Sequence, residues 1–271
     1  MARRQINVPL IKNAVMGVLG CIFGVIAGIS GIGLQVASVT LLTYMLGLHR
    51  VRARGTSMAA TFVTSLGALV VITGSHMPPS LSPLSIVTFI VGCWFGTLVT
   101  FSLSKSPVLV KAMRTAPALE LLIGMFMLAD AFHAPSTQLI PFYHLFSNAG
   151  AFAIGAIGSA ATTLLGMVSS VLIIPLLIYA GGLNYRASVT LMLLMIAVSS
   201  ILPCVAHSKK GNVASGAGTT YIVGCLLGGA VGGLIIAKAG LKLPGILFGF
   251  IVIVLGAWRS YLVSQSSTEK S

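Results

Sequence analysis

Hydroxyl and glycine residues gather at two places in this chain. Ser30, Gly31, Gly33 and Gln35 belong to or follow the stretch Gly28-Ile29-Ser30-Gly31-Ile32-Gly33, and Thr162, Thr163, Ser169 and Ser170 belong to or follow Ala161-Thr162-Thr163-Leu164-Leu165-Gly166. Both stretches interrupt apolar sequence, and a short apolar segment follows each. A half-helix that starts after such a break presents free N–H groups and the positive end of its dipole, which is a site for an anion. Neutral donors beside it add hydrogen bonds without adding charge. The competing reading is close helix packing, the role expected of Gly20, Gly24 and Gly28 at four-residue spacing.

Two arginines make a second constellation. Arg52 is followed by Thr56 and Ser57, and Arg186 by Thr190. On helices beginning near Ala53 and Ala187 each hydroxyl would share a cavity-facing side with its arginine. The alternatives are a topology-setting cluster for Arg50, Arg52 and Arg54, headgroup snorkelling for Arg186, and simple helix capping for the hydroxyls.

The acids embedded in apolar sequence are Glu120 and Asp130. Glu120 is expected to pair with Arg114 or Lys111, whereas Asp130 with His133 is a candidate outer proton site. No catalytic set emerges. Gly28-Ile29-Ser30-Gly31-Ile32 fails the nucleophile elbow at its last position, and Gly31-Ile32-Gly33-Leu34-Gln35-Val36 fails the dinucleotide fingerprint. Cys21, Cys93, Cys204 and Cys225 lie in apolar stretches without paired spacing or nearby histidines. No cofactor, metal or disulfide is therefore expected.

The elements that must position these residues are membrane helices. Of 271 residues 56% are apolar and 7% charged, with a mean hydropathy of +1.04, against roughly 25% charged in a soluble domain. Ten helices of about 20 residues would use roughly 200 positions, leaving no room for a sizeable domain outside the bilayer. The expected fold is therefore all-α and polytopic, with segments at about 12–30, 34–47, 55–75, 84–104, 116–132, 145–165, 168–181, 187–207, 214–237 and 244–262. The second and seventh, at about 14 residues, would rise only about 21 Å, short of the roughly 30 Å hydrocarbon core. They read as half-helices or re-entrant pieces.

The net charge of +13 follows from 16 Lys and Arg against 3 Asp and Glu. With the N-terminus in the cytoplasm and every segment crossing, Arg186, Lys238 and Lys242 alone fall outside. That asymmetry obeys the positive-inside rule, so nucleic acid is not the expected partner. Both termini are predicted cytoplasmic in a multi-pass prokaryotic cytoplasmic membrane protein, with residues 263–271 a disordered tail. The basic start reads as part of a first retained helix rather than a cleaved leader.

A shift of 134 pairs Gly24 with Gly158, Arg52 with Arg186, Thr56 with Thr190 and Ser65 with Ser199, and a shift of 132 pairs Ile90-Val91-Gly92-Cys93 with Ile222-Val223-Gly224-Cys225. Residues 1–132 and 142–262 thus read as two repeats. Five segments in each half put the copies in opposite orientations. Inverted repeats with short, interrupted helices point to a secondary transporter whose site lies near the midplane.

At these residues the chain resembles the TauE/SafE sulfite-exporter family. The resemblance is carried by Gly24-Val25-Ile26-Ala27-Gly28-Ile29-Ser30-Gly31-Ile32-Gly33, by Leu41-Leu42 and Gly47-Leu48, and by Arg52-Ala53-Arg54-Gly55-Thr56-Ser57. Ile173-Ile174-Pro175-Leu176-Leu177 and Arg186-Ala187-Ser188-Val189-Thr190 repeat it. The chain departs from the family pattern in the interrupted cluster Gly31-Ile32-Gly33-Leu34-Gln35, and where Leu41 stands opposite Pro175. The resemblance implies export of sulfite or a small organosulfonate.

The expected function is alternating-access export, with a small anionic substrate and membrane lipid as partners and a homo-oligomer left open. In a cell negative inside, outward movement of one negative charge gains about 2.3 kcal/mol per 100 mV. A carrier or channel for another small anion, such as a carboxylate, an intramembrane enzyme and a structural scaffold are the competing readings.

Overall fold

The computed structural model describes residues 8–74, 82–103, 120–130, 148–165, 167–179, 181–238 and 242–268. The described residues form ten helices: α1 (Val8–Ser30), α2 (Gln35–Leu46), α3 (Arg50–Gly74), α4 (Pro83–Leu103), α5 (120–130), α6 (Asn148–Leu165), α7 (Met167–Tyr179), α8 (Tyr185–Lys209), α9 (Ala217–Lys238) and α10 (Lys242–Thr268). No strand occurs among them. Stretches of α1, α3, α4, α8 and α9 are long and apolar enough to cross a bilayer. Large apolar side chains such as Val18, Ile22, Val70, Val91, Ile157, Leu227 and Phe250 stand exposed on the outside. In water such a surface would aggregate, whereas lipid solvates it. The chain is an all-helical polytopic membrane protein.

Glycine sets how the helices meet. A Cβ on Gly20, Gly24 or Gly28 of α1 would overlap backbone atoms of α9, and one on Gly224, Gly228 or Gly232 would overlap α1. Gly92 and Gly96 of α4 lie against the Phe152 and Ala156 backbone of α6 in the same manner. The first helix of each half thus packs on the fourth helix of the other. In lipid, where apolar surface gains little by self-association, such close backbone contact supplies the dispersion energy.

The centre belongs to α3 and α8. Some 61% and 67% of their apolar windows are enclosed, more than for the other spans, and they pack on each other while α3 also runs along α9. Asn184 starts α8 by accepting the Ala187 N–H at 2.8 Å, and Gly47 ends α2 in the left-handed conformation. With 12 and 13 residues, α2 and α7 rise only about 18–20 Å, as half-helices do.

Two expectations about local structure change. The stretch from Ala161 to Leu165 is helical and belongs to α6. It contains neither Gly nor Pro, and the Thr162 hydroxyl bonds the Gly158 carbonyl within the helix; Gly166 lies outside the described residues. At the other end, α10 continues to Thr268, taking in most of the expected tail. No Gly or Pro between residues 263 and 268 stops it.

Candidate functional site

The first break is a built structure. Gly31 adopts φ +65°, a left-handed conformation that ends α1 and that a side chain would disfavour. Ser30, fully buried, holds the turn by donating its hydroxyl to the Ile26 carbonyl at 2.7 Å and accepting the Ile32 N–H at 3.2 Å. The chain then runs irregularly through Gly33 and Leu34 before α2 begins. Leu34 gives α2 no side-chain cap, and the Gln35 N–H turns back to the Gly33 carbonyl at 2.8 Å. The next N–H groups, of Val36 and Ala37, fall in the first helical turn, which has no acceptor of its own.

A small hollow lies against this break. Gly33 and Leu34 wall one side, Ala60, Thr61, Thr64 and Ser65 of α3 another, and Ser38, Phe23, Leu193, Ile196 and Cys225 complete it. Its volume of about 20 Å³ admits roughly one water. Ser38 Oγ and Tyr221 Oη share one hydrogen at 2.7 Å, which leaves the pair with a second hydroxyl proton to donate. Thr61 donates to the Ser57 carbonyl at 2.9 Å, Ser65 to the Thr61 carbonyl at 2.9 Å, and Thr64 to the Ala60 and Cys225 carbonyls at 2.7 and 3.2 Å. Hydroxyls back-bonded to their own helix can rotate toward a ligand. Among the described residues the lining thus offers neutral hydroxyl donors and no Lys, Arg, His, Asp or Glu.

The repeat-related place is filled differently. The same sequence shifts pair Ser38 with Leu172, Thr61 with Met195, Thr64 with Val198 and Tyr221 with Phe89. Every hydroxyl in this set has an apolar counterpart, and Phe89, Met195 and Val198 are buried in the main apolar core. Ser65, which also lines the hollow, pairs with Ser199, so the loss of hydroxyls is confined to those positions.

Gly33 lines the hollow, Ser30 and Gly31 shape the break beside it, and Gln35 begins α2. Ser57, buried, donates to the Gln35 carbonyl at 3.1 Å and pins α2 to α3. Thr56 donates to the Arg52 carbonyl at 2.9 Å and accepts the Ala214 N–H at 2.9 Å, tying the loop after α8 to α3. Thr190 repeats the first bond, to the Arg186 carbonyl at 2.7 Å.

The arginines stand away from the hollow. Arg52 is exposed near the start of α3, because α3 begins at Arg50, several residues before its apolar run. Arg186 reaches the Ile72 and Ala237 carbonyls at 3.3 and 3.4 Å. These lie in the last turns of α3 and α9, the negative ends of both helices.

Thr162 and Ser170 are buried. Ser170 Oγ has no hydrogen-bond partner among the described residues, while Thr163 and Ser169 are helical, their side chains outside the described set. Asp130 accepts the Tyr179 hydroxyl at 2.6 Å, and His133 lies outside the described residues.

Sequence reading missed Ser38, Thr61, Thr64, Ser65, Tyr221 and Cys225 as neighbours of the break. One signal was available: Ser57, Thr61, Thr64 and Ser65 recur at helical spacing and form a hydroxyl stripe on one face of α3.

Compared with known proteins, residues 1–113 match the model of the family described as Sulfite exporter TauE/SafE. That stretch includes the first break, α2, α3 and α4. The resemblance read from Gly24 to Gly33 and from Arg52 to Ser57 falls inside the match; the motifs at Ile173 to Leu177 and Arg186 to Thr190 fall outside it. Neither the curated proteins nor the solved structures give a match.

Proposed function

From the sulfite-exporter match over residues 1–113, we propose that this membrane protein exports a small sulfur oxyanion, sulfite or a short organosulfonate, from the cytoplasm by alternating access. The single observation that carries the site assignment is the polar hollow against the α1 break. There, the hydroxyls of Ser38, Thr61, Thr64 and Ser65 gather beside the start of α2, neutral donors of the kind an oxyanion needs in place of water.

The swapped packing of α1 on α9 and α4 on α6 supports two repeats, 1–132 and 142–262, that rock against each other. A hollow of about 20 Å³ is closed to a sulfur oxyanion, which exceeds a single water. Transport therefore requires α2 and α3 to separate from α8 and α9, opening the hollow to one side at a time. Ser30, Gly31, Gly33, Gln35 and Ser57 maintain the break, and Ser38, Thr61, Thr64 and Ser65 donate to the anion. Arg52 and Arg186 act at the membrane faces. In this reading the termini are cytoplasmic and the host membrane is the prokaryotic cytoplasmic membrane.

Purified protein in liposomes, loaded in turn with sulfite, methanesulfonate, acetate, sulfate or a small cation, tests the assignment. Saturable efflux of sulfite or methanesulfonate, driven by a potential negative inside, is expected. Potential-driven movement of a cation without any oxyanion would refute it.

A further inference from the structure

Resting on the export reading, we propose that the species carried is a monoanion, hydrogensulfite or a sulfonate, and that doubly charged sulfite and sulfate are rejected. The ground is the chemistry of the hollow. Its donors are the hydroxyls of Ser38, Thr61, Thr64 and Ser65, all neutral, and α2 begins beside them. Lys12, Tyr44, Arg50, Tyr185, Cys204, His207, Lys209 and Lys238 on the helices around it are absent from its lining among the described residues, and the titratable groups at or beside it are Cys21 of α1 and Tyr221 and Cys225 of α9. A thiol or phenol gains only negative charge on ionising, so none of these can offset an anion. α2, α3 and α8 contribute no ionisable side chain to the lining. The cations of those helices are elsewhere: Arg52 and Arg54 are exposed near the start of α3, and Arg186 is engaged with the Ile72 and Ala237 carbonyls.

Charge then decides between substrates of nearly equal size. The cost of removing an ion from water grows with the square of its charge, so a dianion costs about four times what a monoanion does. Hydrogen bonds from neutral donors and the half-charge of a helix start can compensate one negative charge. Without a cation they fall short for two. Sulfite titrates between monoanion and dianion near neutrality, which makes the proposal measurable.

The test uses wild-type protein in liposomes, with the same pH on both sides, a clamped potential and a fixed total sulfur concentration below saturation. Protein-free vesicles supply the leak to be subtracted. Sulfite efflux is expected to follow the hydrogensulfite fraction, falling about tenfold per pH unit once the dianion dominates. Methanesulfonate, a monoanion throughout, should give a flat profile, and sulfate should not be carried. Sulfite efflux that holds steady or rises with pH, or sulfate efflux at a similar rate, would overturn the monoanion rule while leaving export intact. No efflux of sulfite or methanesulfonate at any pH would instead overturn the export reading itself.

Discussion

At the scale of single residues, the hydroxyls divide into those that hold backbone and those that face the hollow, and the two groups respond differently to mutation. Thr56→Val leaves the buried Ala214 N–H without its acceptor, so it should lower stability by about 1–3 kcal/mol. Sulfite KM in the folded fraction should stay unchanged, and thermal unfolding in detergent beside transport kinetics checks both. Thr64→Val keeps the side chain's shape but removes a donor that lines the hollow. It also gives up the bond to the Cys225 carbonyl of α9, so it should destabilise by about 0.5–1.5 kcal/mol and raise sulfite KM about tenfold, the equivalent of roughly 1.4 kcal/mol. Arg186→Gln loses a cation from the ends of α3 and α9 and should destabilise by about 1.5–3 kcal/mol. The anion preference, measured as a sulfite-to-acetate flux ratio, should not move. Sequence spacing put Thr56 four residues after Arg52 and Thr190 four after Arg186, and each hydroxyl bonds that arginine's carbonyl. It could not reveal that the hydroxyls bond their own helices or that Arg186 reaches carbonyls of two distant helices, because both facts depend on where other segments end.

At the scale of elements, close approach of α1 to α9 governs whether the break is held in place. Gly24 meets Cys225 and Gly229 of α9 across backbone contacts that leave no space for a Cβ. Gly24→Val should push the helices apart and destabilise by about 1–3 kcal/mol or more, read as reduced folded yield and a lower unfolding temperature. Gly47→Ala, by contrast, meets no neighbour, and its cost comes from the left-handed turn at φ +65°, about 1 kcal/mol. Helix positions were legible because hydropathy and proline or glycine punctuation act locally in lipid. The α1 break was legible for the same reason: Gly31 and Gly33 flank a short segment. The second break was placed too broadly, since threonine tolerates a helix when its hydroxyl bonds the preceding turn, as Thr162 does. The hollow was less legible, for its walls come from α1, α2, α3, α8 and α9, and only the stripe on α3 marks it along the chain.

At the scale of the whole molecule, the two halves share the short second helix, the 25-residue third helix and the packing of the first helix on the other half's fourth, but differ in polarity at equivalent places. Ser38, Thr61 and Thr64 of residues 1–132 line the hollow, whereas the positions 134 residues further on hold Leu172, Met195 and Val198. In the proposed cycle the two repeats would be the frame that rocks, and the hydroxyls of the first would hold the anion. The most direct measurement is sulfite efflux from liposomes containing either wild-type protein or the double variant Thr61→Val/Thr64→Val, matched for folded protein by size-exclusion profile. The account predicts saturable efflux for wild type and a loss of at least about tenfold for the double variant, with Arg52→Ala retaining most of the wild-type rate. Undiminished sulfite efflux from the folded double variant would contradict it.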